Sequence, residues 1–270
     1  MASDNPAFRS GFWTGFPFVE EVRRLPGDQP WLWLAAGWRD LKAAPFISLF
    51  FGALLAGLSV FLTLGLYLMG ETWAIAPALG GFLLVGPILS VGMYAKSREL
   101  EAGRRPRFWD VLLSWRRNPL HIFGGGVALM FYFMIWMRGA ALIFAIFFPF
   151  RSASIQSLLN QTLFTPEGWA FLIVGTVVGA LFALIAFLFA AFSLQVMLDR
   201  RIDVFQGAMA SFVAVLGNFR TMMIWAGLIV ILTGAGIATG FVGFIVILPL
   251  IGHASWHAYR AVLSGADAQS

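Results

Sequence analysis

The sequence is short of charge, has no cysteine and has only three histidines, and each shortage removes a class of protein. Charged residues make up 11% of the 270 positions, against roughly a quarter in an ordinary soluble domain. So few charges cannot cover a water-exposed surface. The lack of cysteine excludes disulfide frameworks, thiolate metal sites, iron–sulfur clusters and cysteine nucleophiles. Any metal would need histidine, carboxylate or methionine. In place of these groups the chain is 60% hydrophobic, with 28 Phe and 11 Trp, more apolar surface than one soluble core of this length could hide. It reads as an all-α, polytopic membrane protein. A net charge of +5 does not point to nucleic acid, because no compact soluble module remains to present a basic face.

The first apolar run, 46–69, is long enough to cross the roughly 30 Å hydrocarbon layer with some tilt. The second, 73–95, follows after Gly70, Glu71 and Thr72, a link that forces a tight antiparallel hairpin. A third run covers 120–150 and a fourth 169–198; both exceed one crossing, which predicts an interfacial extension on each. The stretch 222–251 is long for one helix and short for two. Gly234, Gly236 and Gly240 lie in its middle, and glycine supplies the backbone freedom for a sharp reversal. The reading is a six-span transmembrane helix bundle, with five spans as the alternative. The first 44 residues contain no short apolar core with a cleavage site, so span one is expected to serve as its own insertion signal.

Placement of the cations supports six spans. Arg9, Arg23, Arg24, Arg39 and Lys42 precede span one, while Lys96, Arg98, Arg104, Arg105, Arg107, Arg116 and Arg117 separate spans two and three. Arg200, Arg201 and Arg220 separate spans four and five, and Arg260 follows span six, which leaves only Arg138 and Arg151 elsewhere. Such asymmetry over short loops predicts a bacterial inner (plasma) membrane protein with both termini cytoplasmic. The expected organisation is an N-terminal cytoplasmic segment over residues 1–29, one membrane domain over 30–262 and a tail over 263–270.

The segments before spans one, three and five resemble one another. Trp31, Leu34, Ala35, Trp38 and Leu41 recur at helical spacing before Pro45. Phe108, Val111, Leu112 and Trp115 do so before Asn118 and Pro119, and Phe205, Met209, Phe212, Val213 and Leu216 before Asn218 and Phe219. Each unit reads as an amphipathic helix at the inner interface followed by a two-span hairpin, a threefold repeat. The alternative is chance amphipathicity. The second spans also match near their ends: Gly86, Pro87, Tyr94 and Arg98 parallel Pro249, Trp256 and Arg260, and residues 190–201 fit the same register without a proline.

Few polar groups fall inside the spans. No Asp or Glu lies near the centre of any of them, unlike many ion-coupled carriers. Ser90, Ser193, Gln195, Thr63, Thr176 and Thr233 read as helix-to-helix hydrogen-bonding residues. Arg138 lies about 27 Å along its span at 1.5 Å per residue, close to the outer interface, where it can snorkel to water. Its functional alternative is an anion or lipid-headgroup site. His253 and His257 are four apart, one helical turn on one face, and with His121 at a similar depth they form a candidate three-nitrogen metal or haem site. The alternative is interfacial histidines bonded to backbone or headgroups, since no intervening Glu and no carboxylate partner is evident. Gly175 with Gly179, and Gly236 with Gly240, are small-residue pairs suited to close helix contact within the fold or between copies. Gly124, Gly125 and Gly126 follow no strand and carry no Lys, so they read as packing glycines and not as a phosphate loop.

Residues 30–41 (PWLWLAAGWRDL) with Pro45 and Ser48, then Gly86 and Pro87 leading to Tyr94, Ser97, Arg98 and Leu100, then 252–260 (GHASWHAYR), resemble an uncharacterised bacterial family of predicted integral membrane proteins. The resemblance runs from about Pro30 to Val262. It implies a six-span inner-membrane protein of unknown function and supplies no catalytic, binding or cofactor residue. The leading functional expectation is a non-enzymatic accessory or assembly partner of a membrane complex, in contact with lipid and with membrane proteins or further copies of itself. A small transporter or permease, which predicts a polar cavity between the repeats, and a histidine-based metal or haem protein are the alternatives.

Overall fold

The computed structural model describes residue 13 and residues 16–148 and 155–263; Arg9 and Arg151 lie outside this set. The described residues are helical and contain no strand. The chain runs α1 (Gln29–Ala43), α2 (Pro45–Leu68), α3 (Ile75–Leu89), α4 (Val91–Glu101), α5 (Phe108–Leu112), α6 (Pro119–Phe147), α7 (Ile155–Phe164), α8 (Pro166–Ala190), α9 (Ser193–Arg200), α10 (Val204–Gly217), α11 (Phe219–Ala238) and α12 (Phe244–Leu263). Short 3₁₀ turns occupy Val19–Glu21, Thr72–Ala74 and Ser114–Arg117.

Among the described residues four stretches are long and apolar enough to cross a membrane: Pro45–Leu68, Pro119–Phe147, Pro166–Arg200 and Phe219–Ala238. The other two arms expected to cross fall short as uninterrupted apolar helices for different reasons. α3 has 15 residues before the axis breaks at Ser90, just after Pro87, and α12 turns polar from His253 onward. The 222–251 stretch does divide. α11 ends at Ala238, and the chain reverses through Gly240 and Phe241, whose φ angles are +62° and +70°. Gly236 makes the reversal tight, because the Phe244 ring lies where its Cβ would be.

The junctions before α2 and α6 share one backbone conformation, and the junction before α11 departs from it in ψ. The residue before α2, Ala44, has φ −146° and ψ 72°; the residue before α6, Asn118, has −149° and 66°; the residue before α11, Asn218, has −129° and 35°. Each junction is tied to the chain near the end of a returning arm. Lys96 on α4 donates to the Ala44 carbonyl, and Asn118 Nδ2 donates to the carbonyls of Met197 and Ile202. Asn218 accepts from the Leu25 N–H and donates to the Arg23 carbonyl, and the Arg23 N–H in turn bonds Val262 at the end of α12. The N-terminal segment thereby ties the start of α11 to the end of α12.

The helices preceding the three junctions are unlike one another. In α1 the buried residues are Trp33, Ala36, Gly37 and Leu41, packed against α12, while Trp31, Ala35 and Trp38 of the expected stripe remain exposed. The helix is apolar on two sides, so one can rest on the protein and the other on lipid. α5 lasts only five residues before the Ser114–Arg117 turn. α10 is built as expected at its start, where Asp203 and Gln206 form a capping box, but it buries Ala210, Ser211, Val213, Ala214 and Val215 and so forms part of the core.

The main core lies at the end of the bundle where α4, α9 and the second half of α12 converge, here called the charged end. Val91, Tyr94, Phe192, Leu194, Met197, Trp256 and Tyr259 belong to one buried cluster there, and Val19 and Val22 of the N-terminal segment join it. The long helices instead expose Phe61, Leu64, Ile135, Leu142, Ile173 and Leu181, as expected where lipid removes the hydrophobic drive for helices to associate. Glycines set the closest approaches. A Cβ on Gly52 of α2 would lie 2.0 Å from the Ile245 carbonyl oxygen, and one on Gly37 of α1 would lie 2.7 Å from the Ala254 nitrogen. Gly124, Gly125 and Gly126 are packing glycines, facing Val204, Met197 and Ile88.

Candidate functional site

Three stretches far apart in sequence meet around α12. Lys96 of α4 is fully buried, and its Nζ donates to the Asp40 carbonyl at 2.8 Å, the Ala44 carbonyl at 3.0 Å and Ser48 Oγ at 2.5 Å. The first two acceptors are carbonyls left open by the end of α1, so the ammonium caps that helix. Ser48 Oγ lies 2.9 Å from His253 Nε2, and Ser97 Oγ lies 2.8 Å from His253 Nδ1.

Donor and acceptor capacity fixes the direction of this chain. An ammonium only donates, so Ser48 accepts from Lys96 and gives its own proton to His253 Nε2. The imidazole therefore carries its hydrogen on Nδ1 and donates to Ser97. Ser97 then donates to the Asp40 carboxylate, which also accepts from His257 Nε2 at 2.8 Å. Burial pushes the Asp40 carboxyl upward, but the hydrogen bonds from His257 and Ser97 outweigh it and hold the group below its usual value. Burial pushes the Lys96 ammonium down to about 8, against a smaller upward pull from Asp40.

A serine between a lysine and an imidazole has the parts of an activated nucleophile. Ser48, Lys96, Ser97 and His253 are all fully inaccessible, however, so no substrate atom reaches them. What the chain does is join α1, α2, α4 and α12 in one arrangement, because each member is satisfied only when the others are in place.

A second network closes the charged end around Asp199 of α9. Its carboxylate accepts from Arg98 Nε of α4 at 2.8 Å and from the Tyr259 hydroxyl of α12 at 2.9 Å, with Arg260 at 3.4 Å. Glu101 accepts from Trp256 Nε1 at 2.9 Å and Arg260 Nε at 3.0 Å. The three returning arms are thus held together by side chains at their ends. Arg98 and Arg260 come from the matched register in the sequence; Asp199, which links them, is a single carboxylate that no spacing singled out.

A cavity of about 350 Å³ lies where the returning arms break. Gly86, Pro87 and Ser90 bound it at the α3–α4 break, Ala190 and Ala191 at the α8–α9 break, and Leu248 and Ile251 beside Pro249 of α12. α8 and α11 form facing walls, with Ala180 and Ala183 on one and Ala226 and Gly227 on the other, yet these two helices barely pack on each other. Ala180, Gly227 and Val230 are exposed at this gap. Polar atoms in the lining come from Ser90, Tyr94, Thr233 and Ser255; the remaining lining is overwhelmingly apolar.

The residues flagged in the sequence are dispersed. His253 and His257 lie one turn apart on α12, but His253 uses both ring nitrogens on serines and His257 bonds Asp40. His121 sits in the first turn of α6. Among the described residues no group of three or more His, Asp or Glu is gathered as a metal would require. Arg138 is exposed on the far half of α6. Of the polar residues in the spans, Ser90 and Thr233 line the cavity, while Ser193 and Gln195 bond carbonyls at the α8–α9 break. Gly179 packs on the Trp136 ring, Gly236 on Phe244, and Gly240 forms the turn.

Ser48, Lys96 and Ser97 escaped residue-by-residue reading because their contacts span 48 positions or more. The one signal was that Ser48, Ser97 and residues 252–260 all belong to the stretches that carry the family resemblance. No curated protein and no solved structure matches the chain. Residues 75–199, from the start of α3 almost to the end of α9, match the DUF2189 family, described as "Predicted integral membrane protein" and of unknown function.

Proposed function

We propose that the chain is a non-enzymatic accessory or assembly component of a membrane complex, and that it docks a transmembrane helix of a partner protein in the gap between α8 and α11. The observation that carries this is the gap itself. Its facing walls present Ala180 and Ala183 against Ala226 and Gly227, the small residues that let helix backbones approach closely in lipid. The stretch containing α8 is also the least buried of the four apolar ones. A carrier for polar solutes would need a polar lining, so docking is the reading the geometry favours.

In this reading the protein is a single domain over residues 30–262 of a bacterial plasma membrane. It makes six crossings, with α3–α4 and α12 as the broken ones, and has both termini and the charged end in the cytoplasm. The supporting observations are the reversal at Gly240, the side-chain ties at the three junctions and the gathering of Lys and Arg between the spans on one side. α1 lies at the inner interface, with Trp31 and Trp38 as aromatic anchors.

A photo-crosslinking residue placed at Ala183 in native membranes tests the docking. The expected product is one discrete adduct with a second membrane protein, identified by mass spectrometry. It should be lost when Ala226→Phe fills the gap in a variant that still inserts and purifies as a single species, and a probe at Leu142 on α6 should not form it. Adducts at Ala183 with lipid alone, or with a second copy alone, would overturn the proposal.

A further inference from the structure

Where α5 stops short, the fold leaves a second cavity of about 300 Å³. α1 and α10, which precede the other two junctions, have 15 and 14 residues, whereas α5 has five. The cavity lies between Phe51 of α2, Ile88 and Leu89 of α3, Leu112 of α5 and Phe123 of α6. Its lining is apolar apart from Ser114, and Trp115, which is exposed, stands at its edge. Leu120, Phe123 and Trp109 are exposed beside it, so the opening adjoins the lipid-facing surface of α6.

The same segment carries Arg104, Arg105, Arg107, Arg116 and Arg117 against one acid, Asp110. Arg104 and Arg117 are engaged by Glu99. Arg105, Arg107 and Arg116 are exposed and make no ion pair among the described residues; the Arg116 guanidinium lies 5.5 Å over the Trp115 ring, which places a cation at the cavity edge. An apolar slot beside the exposed face of α6, with Trp115 and the Arg116 guanidinium at its edge and two further exposed arginines, Arg105 and Arg107, in the same segment, has the two halves of a phospholipid site. Hydrocarbon fits the slot, and guanidinium groups fit a phosphate.

We propose that this cavity binds one anionic phospholipid, its acyl chain inserted between α2, α5 and α6 and its headgroup held by Arg105, Arg107 and Arg116. The site depends on α6 being embedded in the bilayer and is independent of the docking gap between α8 and α11.

Native mass spectrometry of the protein released from nanodiscs of phosphatidylcholine with or without phosphatidylglycerol tests the proposal. Wild type should retain one phosphatidylglycerol in preference to phosphatidylcholine. An Arg105→Gln, Arg107→Gln, Arg116→Gln variant should lose at least about tenfold of that preference, and the matching triple Lys variant should keep most of it. Leu112→Trp, which fills the slot, should lose retention of both lipids, and Leu112→Met should restore it. Size-exclusion chromatography confirms that each variant is folded. Equal retention of both lipids by wild type, unchanged preference in the triple Gln variant, displacement of the lipid by inorganic phosphate, or a dimer that covers the slot would each overturn the proposal.

Discussion

Replacing Lys96 by Met should produce a stability loss that grows with pH, and the reason lies in how the ammonium is buried. Its ordinary value of 10.5 is pushed down to about 8 by burial. At about 1.4 kcal/mol per unit, holding the charged form in place costs the folded state at most about 3 kcal/mol. Between these two values the unfolded chain binds a proton that the folded chain has released, so wild-type stability rises as pH goes from about 8 to 10.5. Met carries no such proton and has no such slope. The substitution also strips the donor from the carbonyls of Asp40 and Ala44, at about 1–3 kcal/mol for each buried acceptor left open. At pH 7 that loss of roughly 2–6 kcal/mol is offset by no longer burying a charge, so the variant should be only modestly weaker. By pH 10 the neutral amine of wild type still donates hydrogen bonds without the charge penalty, and the full loss should emerge. Unfolding in mixed micelles, followed by tryptophan fluorescence at several pH values, gives the difference directly. A wild-type-minus-variant difference that stays flat or shrinks as pH rises would refute the reasoning.

Gly52→Val should abolish the monodisperse species on size exclusion, because its Cβ would lie 2.0 Å from the Ile245 carbonyl oxygen, whereas Gly57→Ala on the same helix meets open space and should be tolerated. Asn218→Ala removes the partners of the Leu25 N–H and the Arg23 carbonyl; it should cost about 2 kcal/mol and expose Arg23 and Arg24 to trypsin, and unchanged cleavage would count against the staple. The lack of cysteine makes single-cysteine labelling clean: Glu71→Cys and Thr239→Cys should react with an impermeant thiol reagent from one side of the membrane and Asp203→Cys from the other. Reaction of Thr239→Cys and Asp203→Cys from the same side would refute a crossing by α11, and a Thr239→Cys that no impermeant reagent reaches would favour five crossings.

Features set by local chemistry were legible before the structure. Gly70 and Gly240 mark the two tight reversals because both need positive φ. Pro45 and Pro119 open α2 and α6 because proline suits the first helical turn. The like segments before residues 45 and 119 end in junctions with like backbone angles, whereas the junction before 219 differs in ψ. Features set by tertiary arrangement were not legible. Periodicity set the α1 stripe at Trp31, Leu34, Ala35, Trp38 and Leu41, whereas the buried face carries Trp33, Ala36, Gly37 and Leu41, and it could not tell that α10 would be buried and not lie flat. α7 sits in a stretch too polar to register as part of a span. Lys96 looked like one more topological cation among seven, and nothing local distinguishes a solvated lysine from one that caps a helix 52 residues away. The histidine spacing was read correctly as one face of a helix, but the partners that engage the two rings come from three other elements.

Burial and exposure divide the molecule into two parts with different work. Around α12 nearly every polar side chain is committed: Lys96, Ser48, His253, Ser97, Asp40 and His257 form one directed chain, and Asp199 ties the three arms. Groups that satisfy one another without access to solvent specify an arrangement and leave nothing to bind with. The α5, α6 and α8 side is the reverse. It has a truncated helix with an open cavity beside it, exposed arginines and long helices that bury little, and α8 also walls the cavity it shares with α11 and α12. Because lipid gives no hydrophobic reason for those helices to close up, their openings persist without a large stability cost, and a surface that must receive a ligand or a neighbouring helix needs that freedom. The committed polar chain at the α12 end is therefore the frame of the fold, and the incompletely packed side is where the two proposed sites lie.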